Sequence, residues 1–564
     1  MKIRILQIFL LIEFQVLFFH SSAQSFDENL KNWQDHKFSM FIHWGLYSVP
    51  AGVWHGSRVD GYSEQIQGHA RISKEEYGKL AATFNPVFWN PDSVAFLAKN
   101  AGMRSIVITS KHHDGFSMFH TRYSKYNVVD STPYKRDIIG ELSESCRKYG
   151  LKFGVYFSLI DWNYPGALPF TSTKNSDSIP PAHHQFNLKQ LEELLTNYGE
   201  ISEIWFDMGS PTYQQSKELR DLIKRLQPNC LINGRIWNNQ GDFAVMGDNS
   251  LPKNKMGVPW QTPASMFEET WGYRSWQNRG SADLKFRDKL EDLIKVVSLG
   301  GNFLLNISPT GEGRIVPFEK EVLLKMGKWL DENGEAIYNT RPVDLQMPDW
   351  GYMTQKPGKI YLHIFRNPID NNLVIKGLNS VITNIHVLNH AGKSLAYNVR
   401  RNGLNIDLKD VVTADLPLEI VIEYSGALLI ESKNLVKAKC KRYELTTSNA
   451  ENYYSYSGHD YYSNRPVVVK KVWCLADVKA GKYKLKMDFS SESAGTPLLL
   501  IVDSAEHEIY PDACKKLTGS NLLRYELIIP NPNSNTMHVQ LFNSALNPTT
   551  ELTVKNLKIS ILAQ

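Results

Sequence analysis

Asp207 closes the apolar run Ile204-Trp205-Phe206 and is followed two residues later by Gly209. A carboxylate held at such a point can attack an anomeric carbon and later depart as the leaving group of a glycosyl ester. The plainer reading is a loop aspartate that caps the next helix. His112 and His113 come soon after Ile106-Val107-Ile108-Thr109, with Asp114 and Gly115 behind them, and His43 ends Phe41-Ile42 just before Trp44. Paired imidazoles offer directed donors for the hydroxyl groups of a ligand. A zinc site is the rival reading, and it lacks both the spaced His-Glu-His pattern and a cysteine partner. Arg235, after Leu231-Ile232-Asn233-Gly234, brings a rigid fork of donors suited to ring hydroxyls or to a carboxylate. Ten of the thirteen tryptophans fall between Trp33 and Trp276. Sugar rings pack flat C–H faces on such aromatics, although tryptophan is also an ordinary core residue.

These residues share one position, the end of a short apolar run. A buried parallel strand reads as such a run because both of its faces are covered. Parallel strands gather their C-terminal ends on one face, so polar groups placed there converge on a single pocket. Strands are predicted at 38–43, 104–109, 152–158, 202–207, 230–235 and 302–307. Helical patterns lie at 91–101, 137–149, 187–198, 216–226 and 282–297, and a helix at 318–332 closes the region. This alternation predicts an α/β fold, and its length suits a (β/α)8-like TIM barrel over residues 24–340. No Gly-rich phosphate loop follows the first strand, which disfavours a dinucleotide-binding fold. Beyond it, runs such as Lys359–Phe365 and Leu418–Tyr424 alternate apolar and polar, which predicts a β-sandwich over 341–430. Tyr483–Phe489 and Thr536–Phe542 do the same in 431–564, a second sandwich that is either carbohydrate-binding-like or purely structural.

At 564 residues the chain is long enough for two or three domains. Its lysines and arginines (63) barely exceed its acids (58) and are not clustered, so nothing favours nucleic acid as a partner. Residues 1–23 read as a signal peptide. Lys2 and Arg4 precede an apolar stretch that ends in Ser21-Ser22-Ala23, and the rival readings are an anchor or a buried helix. A secreted or periplasmic protein follows from the signal, with no membrane span after its removal. The five cysteines are scattered and odd in number, so no disulfide framework or zinc site is indicated. Cys474 and Cys514 remain a candidate pair.

Taken together, several stretches resemble the α-L-fucosidases of glycoside hydrolase family 29. They run in order through the barrel region: Phe38–Pro50 (FSMFIHWGLYSVP), Lys111–Phe116 (KHHDGF), Gly154–Ser158 (GVYFS) with Asp161-Trp162, Ile204–Asp207 (IWFD), Trp271–Tyr273 (WGY), Gly301–Ile307 (GNFLLNI) and Asn333–Tyr338 (NGEAIY). The segment after about 435 lies outside the shared pattern.

The resemblance implies a barrel followed by a β-sandwich, and it implies roles. Asp207 matches the nucleophile of a retaining double displacement. His43, His112 and His113 match residues that hold fucose hydroxyls. Trp205, Arg235 and Tyr156 match further subsite positions, and Trp44 and Trp271 lie in the matched stretches beside the sugar. Glu64 matches a glutamate near the sugar, but Gln65 stands where the family usually has tryptophan. The acid/base is the point of departure: family members often carry Trp-Glu ahead of the Trp-Gly-Tyr motif, and here Trp260 is followed by Gln261. Glu269, then Glu268, then Glu64 are the candidates, with the alternative that Glu268 and Glu269 are only a solvated loop pair. The implied function is a retaining exo-α-L-fucosidase without metal or organic cofactor, acting on fucosylated oligosaccharides or glycoconjugates. The alternatives are an exo-glycosidase for a related sugar such as an α-L-galactoside, and a sugar-binding protein that has lost its acid.

Overall fold

A computed structural model describes residues 28–165, 178–366, 368–389, 394–400, 403–409, 411, 417–431, 435–456, 466–491, 496–531, 535–544 and 551–564. The expected signal segment 1–23 lies outside the described residues.

Eight parallel strands form the first unit: β1 (Phe38–Ile42), β2 (Ser105–Lys111), β3 (Lys152–Ser158), β4 (Glu203–Asp207), β5 (Leu231–Ile232), β6 (Ala244–Val245), β7 (Trp260–Ser265) and β8 (Asn302–Ile307). Their order is β5-β4-β3-β2-β1-β8-β7-β6. A parallel bridge between Asn233 and Phe243, just past β5 and just before β6, joins the two edges and closes the ring. Helices α1 (Pro91–Asn100), α2 (Ile138–Tyr149), α3 (Pro181–Asn197), α4 (Tyr213–Leu226), α5 (Ala282–Ser298) and α6 (Pro317–Asn333) pack outside it. Local chemistry sets their ends. Asp137 caps α2 by accepting the Gly140 N–H, and Gly150 ends that helix in the left-handed region. Thr212 and Gln215 form a reciprocal capping box on α4.

All six predicted strands are present, and two more complete the barrel. β6 is two residues long, too short to show a period. β7 contains Pro263, which argues against a strand in sequence. Here the Pro263 carbonyl accepts the Asn249 N–H on the side where β6 has ended, so the missing proline N–H breaks no ladder. No crossover helix lies between β5 and β6, or between β6 and β7. A single 3-10 turn (Gly234–Ile236) and the extended segment 246–259 fill those connections.

The barrel lumen is filled by Phe41, Val107, Tyr156, Trp205, Phe243, Trp271 and Leu304, so it is a packed core rather than a pore. A larger cluster lies between strands and helices. After α6 the chain forms a five-stranded antiparallel sheet facing a three-stranded one around Leu362, Ile364, Leu373, Ile406 and Ile420. From Leu435 onward, two further sheets enclose Trp473, Leu485, Phe489, Leu500 and Leu541. The candidate disulfide is not formed. Cys474 and Cys514 are both free; Cys474 lies on a strand of one sheet of that last sandwich, and Cys514 on the bend before Lys515–Lys516, a strand of the other. Among the described residues, no helix is long and apolar enough to cross a membrane.

Candidate active site

Asp207 is the last residue of β4, paired in register with Ser158 of β3. The chain then leaves the sheet through Met208 (φ 57°) and Gly209 (φ 84°). Two left-handed residues in succession turn the backbone sharply. At Met208, which has a Cβ, this conformation costs on the order of 1–3 kcal/mol. Arg235 Nη1 donates to Asp207 Oδ1 (2.7 Å), Tyr156 Oη donates to Oδ2 (2.8 Å), and His113 Nε2 lies 3.8 Å from Oδ2. Burial would raise the Asp207 carboxyl. The charge of Arg235, with the Arg235 and Tyr156 donors, outweighs burial and holds it below its ordinary value. It is therefore a carboxylate at neutral pH.

Arg235 sits on the 3-10 turn after β5, with its guanidinium 4.7 Å over the Trp205 ring. Its other arm, Nη2, donates to Asp248 Oδ1 at 2.5 Å. One planar guanidinium thus bridges two carboxyl groups across the cleft.

The three histidines surround this pair. His43 Nδ1 and its backbone N–H both face Asn306 Oδ1, at 2.8 and 3.1 Å. That makes Nδ1 the protonated nitrogen and leaves Nε2 an acceptor. Ser158 Oγ gives its proton to the Ile160 carbonyl, so it accepts from His113 Nδ1 at 2.7 Å, and Nε2 of that ring again carries the lone pair. Burial pushes both rings down to about 4, with nearby Asp207 only partly opposing it, and burial drives His112 well below its ordinary value. The histidines are thus neutral, and Nε2 of His43 and of His113 is an acceptor atom, where the sequence reading took the imidazoles as donors. His112 stacks on Tyr156 with ring centroids 5.3 Å apart and on His113 at 4.0 Å. Among the described residues, no group of three or more His, Cys, Asp or Glu side chains is placed to hold a metal ion.

The cleft is lined by Phe41, His43, Tyr62, Glu64, Gln65, His112, His113, Trp205, Asp207, Arg235, Asp248 and Trp271. Tyr156 closes it beneath Asp207. Trp44 is not part of it. Just past the end of β1 the two side chains part, and His43 turns inward and Trp44 outward. Its indole N–H donates to the Thr310 carbonyl (2.9 Å), and its ring packs on Trp89 in the outer core.

The carboxyl groups sort differently from expectation. Glu64, on the turn Ser63–Gln65, is buried at the cleft wall. Its Oε2 accepts the N–H groups of Trp271 (3.1 Å) and Gly272 (2.8 Å). Burial pushes it up to about 7 despite those donors. Glu268 and Glu269 are exposed and do not line the cleft. The Glu269 side chain is 66% exposed, with Arg274 at 3.9 Å. The loop before Trp271 therefore points its acids to solvent. Gln261 is no substitute either, since it is fully buried inside the barrel, where its Oε1 accepts the Trp205 indole N–H (2.9 Å). The carboxyl group that Arg235 ties to Asp207 is Asp248, which also lines the cleft and which the sequence reading missed. A signal was present: Phe243-Ala244-Val245-Met246 is another short apolar run, and it ends on Gly247-Asp248.

A closed parallel barrel with a held carboxylate at one strand end, a second carboxyl group one guanidinium away and an aromatic, imidazole-lined cleft is the architecture of a glycoside hydrolase. Comparison with known proteins narrows this. The family described as Alpha-L-fucosidase matches residues 15–335, and the chain belongs to that family. The tissue α-L-fucosidase of Mus musculus is 34% identical over 343 residues, covering 57% of this chain and 75% of its own. A crystal structure of an α-L-fucosidase from Vibrio sp. strain EJY3 superposes with a TM-score of 0.66 at 27% identity, covering 95% of this chain and 98% of its own. A GH29 α-L-fucosidase from Bacteroides thetaiotaomicron, a trapped covalent intermediate in complex with 2-fluoro-fucosyl fluoride, superposes with a TM-score of 0.64 at 26% identity, covering 71% and 96%.

Proposed function

We propose that this glycoside hydrolase is a retaining exo-α-L-fucosidase with Asp207 as nucleophile and Asp248 as acid/base. The arrangement of Asp207, Arg235 and Asp248 carries the reading. A retaining mechanism needs two carboxyl groups flanking one anomeric carbon, and the two arms of the Arg235 guanidinium hold one such group each at the same cleft. In the first step Asp207 Oδ attacks the anomeric carbon while the bond to the aglycone oxygen breaks, and Asp248 gives that oxygen its proton. In the second step Asp248, now a carboxylate, takes a proton from water. The water oxygen attacks the same carbon and Asp207 leaves. Two inversions give net retention. The covalent intermediate trapped in the Bacteroides relative supports an enzyme-linked first product.

The two acids differ in a way that suits the roles. Asp207 is largely buried, whereas the Asp248 side chain is 36% exposed, at the mouth where an aglycone leaves and water enters. Glu64, buried and pinned by two backbone donors, suits a ring hydroxyl. Its pKa of about 7 also suits a general acid, so it is the second reading for that role. His43, His112, His113 and Trp271 line the cleft that takes the sugar, and the family match favours fucose over a related sugar. A small cleft closed below by the packed lumen suits one terminal residue, which supports exo action on fucosylated oligosaccharides or glycoconjugates. The N-terminal signal pattern supports a secreted or periplasmic enzyme.

The test is labelling with 2-deoxy-2-fluoro-fucosyl fluoride followed by peptide mass mapping. The adduct is expected on Asp207. Inertness of the protein toward an activated aryl α-L-fucoside, or labelling elsewhere, overturns the reading.

A further inference from the structure

We propose that residues 435–564 act as a positioning element of the catalytic barrel. They stand where crossover helices are missing between β5 and β7, and they hold the far end of the loop that carries Asp248. The inference rests on reading Asp248 as the acid/base.

The loop 246–259 has two anchored ends. At the near end, Asn249 N–H donates to the Pro263 carbonyl (3.0 Å), and Asn249 Oδ1 accepts the Ser265 N–H (2.7 Å). These bonds belong to the barrel itself. The far end is held by the last sandwich. Gly257 N–H donates to the Tyr454 carbonyl, and Tyr454 N–H donates to the Lys255 carbonyl, both at 2.8 Å. The loop thereby adds a short parallel bridge, Met256 to Tyr454, onto strand Glu451–Tyr456. The Lys255 ammonium binds Asp344, from the chain entering the first sandwich, and Glu451 of the last one. Three parts of the molecule meet on that one side chain.

Packing continues the same seam. Val469 of the last domain is buried within the barrel's own core cluster, together with Val258 and Trp260. A Cβ at Gly257 would lie 2.8 Å from Val469 Cγ2 and 2.9 Å from Tyr453 Cβ. Contacts that close are essentially never seen, so glycine lets the backbone approach the domain. Elsewhere an α-helix covers the barrel strand; here a β-strand of another domain covers it. The family match ends at residue 335, before this domain begins.

The experiment compares Gly257→Val, Lys255→Ala and Lys255→Arg in the full chain. Initial rates are measured on an activated aryl α-L-fucoside and on an alkyl α-L-fucoside, whose poor leaving group needs the acid. A displaced acid should slow the alkyl substrate about tenfold and the activated one less than twofold, because small misplacements cost rate only where the group is used. Lys255→Arg should restore the ratio. Amide hydrogen exchange across 246–259 is read in parallel and should be faster in Gly257→Val and Lys255→Ala. If Gly257→Val does not fold, Lys255→Ala carries the test. Wild-type exchange across 246–259 with a wild-type leaving-group ratio overturns the inference. Asp248→Asn, assayed alongside, separates the two ideas. If it shows no leaving-group dependence, the acid assignment falls, and the exchange measurement alone decides whether the domain holds the loop.

Discussion

Two stretches of the barrel wall, β1 to β4 and β5 to β6, are built by different means, and β7 and β8 resemble the first. On one side β1 to β4 are five, seven, seven and five residues long, and each is followed by a crossover helix. On the other, β5 and β6 have two residues each, no crossover helix follows either, and a loop hangs over the cleft. The first stretch carries His43, His112, His113 and Asp207; the second carries Arg235 and Asp248. A nucleophile must meet one carbon from one direction, and long strands locked by helices provide that. A proton donor must reach an oxygen whose substituent varies between substrates, and a loop tied at both ends tolerates that variation. Arg235, on the short-stranded side, couples the two by holding a carboxyl group from each.

The largest effect should come from the rigid stretch. Asp207→Asn is expected to lower kcat by about 10⁴-fold or more on every fucoside, whatever its leaving group, because no covalent step remains. A strong leaving-group dependence of that loss would undo the distinction between the two stretches. Asp248→Asn should cost about 10³-fold on alkyl and natural fucosides but under tenfold on activated aryl ones, with azide restoring turnover of the activated substrate as a fucosyl azide. If Glu64→Gln gives that pattern and Asp248→Asn does not, the acid belongs to the rigid wall and the comparison fails.

Tyr156→Phe probes the support of the nucleophile rather than the nucleophile. Losing one hydrogen bond to a charged group is worth about 1.5–3 kcal/mol, so kcat/KM should fall by about ten- to a hundredfold. The sign of the pH effect follows from the same bond. The phenol helps hold the Asp207 carboxyl low, so its removal raises that pKa, and the acid limb of kcat/KM moves to higher pH. Thermal stability offers a further check. His43 and His113 stay neutral in the folded protein down to about pH 4, whereas in the unfolded chain they take up protons below about 6.5. The unfolded state then binds more protons between those limits, so Tm should fall as pH drops from 6.5 toward 4. His113→Gln should flatten that slope.

What the sequence disclosed follows the same division. β1 to β4 and β8 stand out because five to seven apolar residues suffice to show a buried strand. β6 does not, although Phe243-Ala244-Val245-Met246 is as apolar as the run that marks the equally short β5, because no helical pattern follows it to complete a strand–helix unit, and with β6 went Asp248. Pro263 hid β7 because a missing N–H matters only where a neighbouring strand would accept it, and sequence does not say where β6 ends. Trp44 misled because proximity to His43 in sequence does not put both in the cleft: just past the end of β1 the two side chains part, and Trp44 packs on Trp89 in the outer core. Glu64 was reached through family resemblance. Nothing local marks a glutamate on a one-turn 3-10 segment as a buried wall residue.

The smallest expected effect concerns the pair Glu268 and Glu269. Both are exposed, and the only ion pair made by Glu269 among the described residues is the 3.9 Å contact with Arg274. Arg274 is buried, but the Glu269 end of this long contact stands in solvent, where screening leaves a pair worth about 0–1 kcal/mol. The double substitution Glu268→Gln, Glu269→Gln should therefore keep kcat/KM within about twofold on both activated and alkyl fucosides, and leave the pH profile in place. The prediction is sharp because the two residues lie in the same stretch of chain as Trp271, a wall of the cleft. An alkyl-specific loss approaching that of Asp248→Asn would mean that this loop swings inward when substrate binds. The proton would then come from the rim beyond β7, and the loop held by the last domain would serve only to seat Arg235.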